Sequence, residues 1–390
     1  MPIVNRVADL QPEIQAWRRD IHEHPELLYD VHRTAAFVAD RLREFGCDEV
    51  ATGLGKTGVV GVIKGRKPGG GDDVKVIGLR ADMDALPIEE ATNLPYASKI
   101  SGKMHACGHD GHTAMLLGAA RYLAETRNFA GNVVVIFQPA EEGGAGAKAM
   151  IKDGLMDRFG IEQVFGMHNG PGIPIGSFAI RQGPIMAATA NVDIRIEGHG
   201  GHAARPHKCI DSVLVGVQLI NALQQIVSRN VDPLEAAVIS ICEFHAGNAR
   251  NVIPQTAELR GTVRTLTREV KDLIEKRVHE VCAGVAQMTG AKIDLTYEHG
   301  YPVTVNHAAQ TDFATRIARE VAGEANVHEM APMMGAEDFS FMLEARPGAF
   351  IFCGNGDSAG LHHPAYNFND EAIVHGTSYW IKLVENTLAA

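Results

Sequence analysis

The hydrophobic pattern of the chain changes at Gly183-Pro184, and this change constrains the fold more than any other feature. Before it, Val59–Ile63 and Asn132–Phe137 are short, almost continuous apolar runs separated by segments with helical spacing. Such runs are typical of strands that are buried on both faces of an α/β sheet. After it, apolar and charged residues alternate from Val192 to Glu197, which predicts a strand with one face in water. The chain therefore predicts two domains of different architecture.

The alternating region continues with elements in the order β-α-β-β-α-β, with helices near Ser212–Val227 and Thr267–Met288. This is the order of a ferredoxin-like unit. We therefore predict an inserted α+β domain at 185–297, which divides an α/β domain into a first part at 1–184 and a second part at 298–390. A chain of 390 residues is long enough for two hydrophobic cores.

The first domain is predicted to contain a central, mixed, mostly parallel sheet with helices on both faces. Within it, Val59–Ile63 and Val74–Leu79 are interpreted as a strand pair joined by the Gly/Pro-rich turn Lys67–Asp72. A long helix is expected from Thr113 to Glu125.

Composition restricts the possible partners of the protein. The net charge is -11 and basic residues form no cluster, which argues against a nucleic-acid or anionic-membrane surface. No segment reaches about 18 uninterrupted apolar residues, the length of a membrane-spanning helix. The six cysteines show no paired spacing, which indicates a reducing compartment rather than a disulfide framework. We expect a cytoplasmic protein that acts on small molecules or peptides.

Cys107 and His109 lie two residues apart in the run Met104–His112. If the backbone there is extended, both side chains point to the same side. A thiolate beside a neutral imidazole is a typical ligand pair for a transition metal. The alternative is that both residues only pack near the start of a helix, so the interpretation depends on the other loops.

Other loops at the ends of predicted strands carry further ligand types, and such ends are where α/β folds gather their sites. These candidates are Asp82, Asp84, Glu141, Glu142, His168, His362 and His363. Taken singly, each could be a solvated or packed residue. Adjacent Glu141 and Glu142 should diverge, so that one can bind a metal while its neighbour deprotonates an attacking water.

The candidate ligands are too many for one tetrahedral structural site. They are Cys107, His109, Glu142, His168 and one of the two histidines 362 and 363. Five such ligands suit two adjacent catalytic ions that keep open positions. Two cations would acidify a shared water and polarise a carbonyl, so hydrolysis of an amide is the expected reaction.

The inserted domain carries its own polar cluster at Gly198–His207, where glycines allow close approach to a ligand. Asn251 and Arg264 could supply donors for an anionic group, and Gly335–Phe339 could supply backbone N–H groups or simply begin a helix. The two histidines in Ile21–Pro25 also have metal-like spacing, but a helix must end there at proline, so we interpret them as structural.

Together these motifs are similar to those of the M20 metallopeptidase family, in its hippurate hydrolase and N-acyl-amino-acid amidohydrolase branch. The resemblance runs in order over nearly the whole chain. The segments that carry it are Arg80–Pro87, Met104–Thr113, Gln138–Gly144, Met167–Asn169, Gly200–Ala204, Asn251–Pro254, Glu337–Ser340 and Leu361-His362 followed by Tyr366–Asp370.

The resemblance implies a pair of divalent cations, with Mn, Zn, Co and Ni all suitable. It implies that Glu141 is the general base and that Asp84 orients a ligand from outside the site. Other branches of the family have a histidine where this chain has Asp82, and His109 is then expected to take over as a ligand. The metal ligands implied by the family pattern are Cys107, His109, Glu142, His168 and His362.

For the inserted domain, the resemblance implies a lid that is also the dimerisation surface of a homodimer or a higher homo-oligomer. His202 would reach into the partner subunit's site and stabilise an oxyanion. Asn251, Arg264 and the backbone of Gly335 would hold the free carboxylate of the substrate.

The expected activity is hydrolysis of an N-acyl-amino acid to a carboxylic acid and a free amino acid. One alternative is a dipeptidase or carboxypeptidase with the same machinery and a dipeptide-like substrate. The other is a non-catalytic ligand-binding protein on the same fold, because a fold does not prove an activity. The adjacent pair Glu141-Glu142 argues against the second alternative, since a binding protein needs no general base.

Overall fold

The computed structural model describes residues 3–68 and 75–389, which form two compact units. The larger unit comprises Met1–Ile185, Val305–Ala331 and Asp338–Ala390, and the smaller comprises Met186–Thr304 and Pro332–Glu337. The predicted second boundary, at 297/298, differs from this division. The smaller unit continues to Thr304 and also takes Pro332–Glu337, whereas the sequence pattern assigns both segments to the larger domain. The Ala187 N–H donates to the Gly335 carbonyl at 2.8 Å, a long-range pairing that local periodicity does not reveal.

The larger unit is built on one mixed sheet of eight strands. Four of its seven neighbouring pairs are parallel, and three of these lie side by side in the middle of the sheet. Strand Val76–Asp82 is buried at every position, so both faces of the sheet are covered there, as predicted. In spatial order the strands are Glu49–Leu54, Gly58–Lys64, Asn132–Gln138, Val76–Asp82, Gln163–Pro171, Gly348–Gly356, Phe178–Ile180 and Val327–Glu329.

The predicted strand pair was wrong. Strand Gly58–Lys64 does not neighbour strand Val76–Asp82, because Asn132–Gln138 lies between them and pairs with both. Short apolar runs show that a strand is buried on both faces, but they do not specify its neighbours. Most of the predicted turn Lys67–Asp72 lies outside the described residues, as does Val74 at the start of the predicted strand.

Helix His109–Thr126 is buried along most of its length and is central to the larger unit. It packs against helices Asn5–Glu23 and Ala372–Thr387, and Ile14 and Thr377 approach it so closely at Gly118 that a Cβ there would clash. The other helices of this unit are His32–Glu44, Gly146–Lys152, Leu155–Arg158, Ala308–Ala322 and Ser340–Ala345.

The smaller unit has the predicted ferredoxin-like order and an antiparallel sheet of four strands. In spatial order these are Ala237–Ala246, Thr256–Thr265, Ala188–Glu197 and Lys292–His299. Helices Ser212–Arg229 and Arg268–Thr289 pack on the sheet, with a core that includes Ile194, Leu219 and Ile274. Both helices begin at a side-chain cap, since Asp211 accepts the N–H of Val213 and Thr267 that of Val270.

Short strands complete the described structure. Gly201–His202 pairs with Val252–Ile253 in the smaller unit, while Gly183–Met186 and Thr304–Asn306 lie where the chain passes from one unit to the other. Among the helices of the described residues, none combines the length and the apolar character needed to cross a bilayer.

Candidate metal centre

The candidate site of the larger unit lies where neighbouring strands of its sheet end. Asp82 is the last residue of strand Val76–Asp82, and Asp84 follows it. Glu141 and Glu142 follow strand Asn132–Gln138, and His168 lies in strand Gln163–Pro171. Since these three strands include two parallel pairs, their carboxyl ends bring the side chains to one edge.

Cys107 and His109 are joined by a sharp turn at Gly108. The backbone there is not extended, because Gly108 has a φ of 89° and helix His109–Thr126 begins directly after it. A Cβ at Gly108 would lie 2.3 Å from Asn169 Nδ2 and 2.5 Å from Tyr366 Oη, so only glycine fits. The turn makes the helix start four residues before the predicted Thr113 and directs His109 inward.

The five predicted ligands lie in overlapping groups around this turn. Cys107, His109 and His168 can place one donor atom each within 4.8 Å of one another, and all three are buried. Cys107 also belongs to a second such group, with Glu142 and His362. The Sγ of Cys107 lies 3.4 Å from Nε2 of His168.

Glu142 connects the two groups. Its Oε1 lies 3.2 Å from Nε2 of His362 and 3.9 Å from Nε2 of His109. Glu141 belongs to a further group with His109 and Glu142, so the predicted general base lies beside the predicted ligands.

His362, rather than His363, reaches this cluster. Its φ is 63°, in the left-handed region that is uncommon for a histidine, and its N–H donates to the Ala106 carbonyl at 2.8 Å. Such a conformation persists only where the surroundings impose it, and it often marks a functional site. Nδ1 of His363 instead accepts the Ala365 N–H at 3.0 Å.

Asp84 fixes the loop that carries both glutamates. Its Oδ1 accepts the N–H of Glu141 at 2.9 Å, and its Oδ2 accepts the N–H of Glu142 at 3.1 Å. Oδ1 also lies 3.5 Å from Nδ1 of His109. The carboxylate is buried and lies against both the glutamate loop and the ring of His109.

Asp82 and His112 lie close to His109 but already have partners. Nδ1 of His112 lies 2.6 Å from Asp82 Oδ1, and its Nε2 accepts the Asn169 N–H at 2.9 Å. The other oxygen of Asp82 accepts Arg80 Nη1 at 2.8 Å. Asp82 and His112 therefore bond to each other and to Asn169 and Arg80, and we expect them to hold the neighbouring ligands in place rather than to bind a metal. Sequence reasoning missed His112, although it lies one helical turn after His109, and it did not use Arg80, although alternation places that residue on the same side of the strand as Asp82.

The electrostatics of the cluster fit a bound cation. Burial raises the pKa of the Cys107 thiol well above its usual value, and the negative charges of Glu142, Glu141 and Asp82 raise it further. Burial alone would lower the pKa of His109, but nearby carboxylates, Asp82 above all, raise it to about 10. Excess negative charge of this kind, out of contact with water, requires positive compensation.

The donor atoms also fit metal ions. Neither ring nitrogen of His109 has a hydrogen-bond partner with good geometry, and the same holds for Oε1 of Glu142. Buried polar atoms are normally satisfied, so these atoms require an explanation. A mixed sulfur, nitrogen and oxygen set is suitable for divalent transition metals.

The predicted substrate-binding residues of the smaller unit lie at opposite ends of its sheet. His202 pairs with Val252, and the Asn251 carbonyl accepts the Ala203 N–H, so His202 and Asn251 are neighbours. This pair follows the end of strand Ala188–Glu197. Arg264 pairs with Thr189 near the start of the same strand, and Gly335 bonds to Ala187.

The two ends are about 25 Å apart, given a rise of about 3.3 Å per residue from Thr189 to Glu197. A single small unit therefore does not bring His202 and Arg264 together. The guanidinium of Arg264 is half-buried and donates to the Val263 carbonyl at 2.9 Å.

Residues 78–386 match the model of peptidase family M20/M25/M40. The chain is 46% identical over 387 residues to the hippurate hydrolase of Campylobacter jejuni, covering 98% of each. It is 42% identical to thermostable carboxypeptidase 1 of Saccharolobus solfataricus, covering 91% of this chain and 90% of the relative. It is 41% identical to the N-acetyl-L-cysteine deacetylase of Bacillus subtilis, covering 96% of this chain and 88% of the relative.

Solved structures agree with this relationship. A protein of methicillin-resistant Staphylococcus aureus matches with a TM-score of 0.90 at 35% identity, covering 99% of each chain. A Bacillus subtilis protein described as a dinuclear metal binding peptidase of the M20 family matches with a TM-score of 0.84 at 35% identity, covering 98% of this chain and 99% of the other. From the sequence match and the shared fold, the chain belongs to peptidase family M20/M25/M40.

Proposed function

We propose that the protein is a metal-dependent amidohydrolase that converts N-acyl-amino acids to a carboxylic acid and a free amino acid. The observation that carries this proposal is that Glu141 shares one group of possible ligand atoms with His109 and Glu142. Each of these two residues also shares a group with Cys107. The relatives named hippurate hydrolase and N-acetyl-L-cysteine deacetylase support this substrate class.

Two divalent cations are proposed for the cluster, in agreement with the dinuclear relative of Bacillus subtilis. Mn, Zn, Co and Ni all suit the donor set. When bound, such ions lower the pKa of water and polarise a carbonyl oxygen. The residues proposed to hold them are Cys107, His109, Glu142, His168 and His362.

Glu141 is proposed to move the proton. Its carboxylate takes a proton from the attacking water as the water oxygen bonds to the amide carbon, and it then delivers that proton to the leaving nitrogen as the C–N bond breaks. Asp84 contributes by holding the backbone of Glu141 and Glu142, so that base and ligand both keep their places beside His109. The same carboxylate lies 3.5 Å from Nδ1 of His109.

The smaller unit is proposed to bind the substrate and to complete the site of a second subunit. Arg264 and the Gly335 backbone suit the free carboxylate of an amino acid, and Asn251 could add an amide donor. His202 is proposed to stabilise the oxyanion in the partner subunit's site. The positions of Arg264 near the start of strand Ala188–Glu197 and of His202 beyond its end support this arrangement, because the strand segment between them alone is about 25 Å long.

A homodimer would also cover an exposed edge of the smaller unit. Strand Ala237–Ala246 lies at the edge of the sheet and is exposed from Cys242 onward. Apolar residues are exposed beside it, at Val213, Leu214 and Val217 on the adjacent helix and at Phe244 on the strand. A long open edge with apolar neighbours favours pairing with another strand, and a second copy offers the same edge by two-fold symmetry.

A dipeptidase or carboxypeptidase remains the second candidate, since a relative is named thermostable carboxypeptidase 1. It would use the same residues and differ in the group accepted on the acyl side. The cytoplasm is the proposed location, because a reducing compartment keeps the Cys107 thiol available as a ligand.

The deciding experiment reconstitutes metal-free protein separately with Mn²⁺, Zn²⁺, Co²⁺ and Ni²⁺. Each form is then assayed against N-benzoyl, N-acetyl and aminoacyl derivatives of the same amino acids. We expect release of free amino acid from the N-acyl derivatives, with the aminoacyl derivatives poorer. A preference for aminoacyl derivatives would favour the dipeptidase, and no turnover in any metal form would contradict an enzyme.

A further inference from the structure

A buried ion cluster lies beside the candidate metal centre and begins on the N-terminal helix Asn5–Glu23. Arg18 and His22, one turn apart, have fully buried side chains. Arg18 Nη1 lies 3.3 Å from Asp110 Oδ2, and Arg18 Nε donates to Asp370 Oδ1 at 2.8 Å. His22 Nδ1 lies 2.8 Å from Asp110 Oδ2, while its Nε2 lies 3.3 Å from Glu90 Oε1.

The three carboxylates belong to three different segments around the predicted ligands. Asp110 directly follows His109 in the first turn of the central helix. Asp370 lies in the segment that follows His362. Glu90 lies in the long connection between strand Val76–Asp82 and that helix.

This connection is in turn bonded to the segment that carries His362. The Ala91 N–H donates to the Pro364 carbonyl at 2.9 Å, and the Tyr96 hydroxyl donates to Asn367 at 3.3 Å. The Tyr96 ring also covers the Arg18 guanidinium at 4.6 Å. The cluster therefore contacts both segments that bring His109 and His362 to the site.

Its members are held in place because burial makes any loss of pairing costly. A buried charge without its partner destabilises a protein strongly, so Arg18 cannot leave Asp110 and Asp370 without penalty. Arginine is suited to this role, since its planar fork bonds to two carboxylates at once. Fixed pairs of this kind set the distance between the segments they join.

We propose that Arg18 and His22 are positioning residues that hold His109 and His362 at the spacing required for the metal pair. The inference rests on the proposed function, and it gives His22 of the histidine motif Ile21–Pro25 a role in that site beyond its place at a helix end. Neither residue touches the predicted ligands, so the effect must pass through Asp110, Glu90 and Asp370.

The test compares Arg18→Lys and His22→Asn with the control Arg6→Lys. Lysine keeps the charge at position 18 but cannot bond to two carboxylates in the same way. Asparagine at position 22 can donate to Asp110 but does not reach Glu90. Arg6 lies on the same helix in an exposed ion pair with Glu125, so its replacement tests the effect of the substitution itself.

Affinity for Mn²⁺ is measured by competition with an indicator dye, and metal content by elemental analysis after dialysis. We expect affinity to fall about 10–100-fold in both test variants, the size usual for residues that orient ligands. We also expect a lower kcat with little change in KM, restored in part by excess Mn²⁺. Arg6→Lys should match the wild type in every measurement.

Wild-type affinity in a folded Arg18→Lys or His22→Asn protein would overturn the proposal, even if the melting temperature fell. His22→Asn decides the question if Arg18→Lys does not fold. Failure of the proposed function is a separate result, because it requires a wild-type protein that holds no metal or hydrolyses no acylated amino acid.

Discussion

The Asp84 carboxylate accepts the backbone N–H of Glu141 at 2.9 Å, and its second oxygen accepts the next N–H along the chain at 3.1 Å. One buried side chain therefore fixes the loop that presents the proposed base and a proposed ligand. The same carboxylate lies 3.5 Å from Nδ1 of His109, so it contacts both the glutamate loop and the histidine that begins the central helix.

Replacing Asp84 by asparagine should therefore disturb the site more than the fold. An amide offers only one acceptor oxygen, so its NH₂ group would face one of the two backbone N–H donors. We expect metal affinity to fall about 10–100-fold, measured by dye competition. The control is Asp153→Asn, since Asp153 accepts the Gly55 N–H at 2.7 Å away from the predicted ligands. Equal losses in both variants would contradict a specific role for Asp84.

Glu141→Gln separates metal binding from proton transfer. Glutamine has nearly the same shape but cannot take a proton, so kcat should fall by about 10²–10⁴-fold, the usual contribution of a general base. Metal content, determined by elemental analysis, should stay equal to that of the wild type. Near-normal turnover would rule out Glu141 as the base.

His362 and His363 are adjacent, yet only His362 reaches Glu142, at 3.2 Å. We expect His362→Gln to reduce the metal content after dialysis from two ions to one. His362 is an exposed member of the predicted ligand set, and its loss leaves one ion with a ligand fewer. His363→Gln is the matched control and should retain both ions. The opposite result, with metal lost only from the His363 variant, would show that the terminal ligand was assigned to the wrong histidine.

Periodicity and motif spacing predicted much of this arrangement. The alternating run Val192–Glu197 lies in strand Ala188–Glu197 as predicted, because alternation along a half-buried strand is a strong signal. The ferredoxin-like order followed from the same signal. The Cys107 loop was identified from the spacing of a thiol and an imidazole, and the Glu142 loop because strand ends in α/β folds collect polar side chains.

What sequence could not provide were long-range partners and local backbone reversals. Gly108 has a positive φ, and Asn169 and Tyr366 leave no room for a side chain there, but neither contact is visible in the sequence around it. Likewise, Arg18 and His22 resemble ordinary residues near a helix end until folding brings Asp110 against them.

His22 should also make stability depend on pH. Burial lowers its pKa, but Asp110 and Glu90 outweigh this and raise it from 6.5 to about 9. The charged and titratable groups that face it are Asp110, Glu90, Arg18, His105 and Tyr96. Because the folded state binds the proton more tightly, the contribution is fully present below about pH 6.5 and is lost as pH rises through about 9.

We therefore expect the free energy of unfolding to decline between these pH values by up to about 3 kcal/mol more in the wild type than in His22→Asn. Urea unfolding at a series of pH values measures this difference. His32→Asn removes an exposed histidine of the following helix and should retain the wild-type decline. A similar decline in the His22 variant would show that other groups cause it.

The open edge of the smaller unit is expected to form the contact between two copies of the chain. Leu214→Asp places a charge in the apolar surface beside strand Ala237–Ala246, where the side chain is 56% exposed and its loss should not disturb the core. We expect this variant to be monomeric by light scattering and to lose kcat, because His202 would no longer reach a partner subunit's site. Met288→Asp, on the other helix and 66% exposed, should remain dimeric and active. An active monomer would contradict the shared site, since within one copy Arg264 and His202 lie beyond opposite ends of a strand segment about 25 Å long.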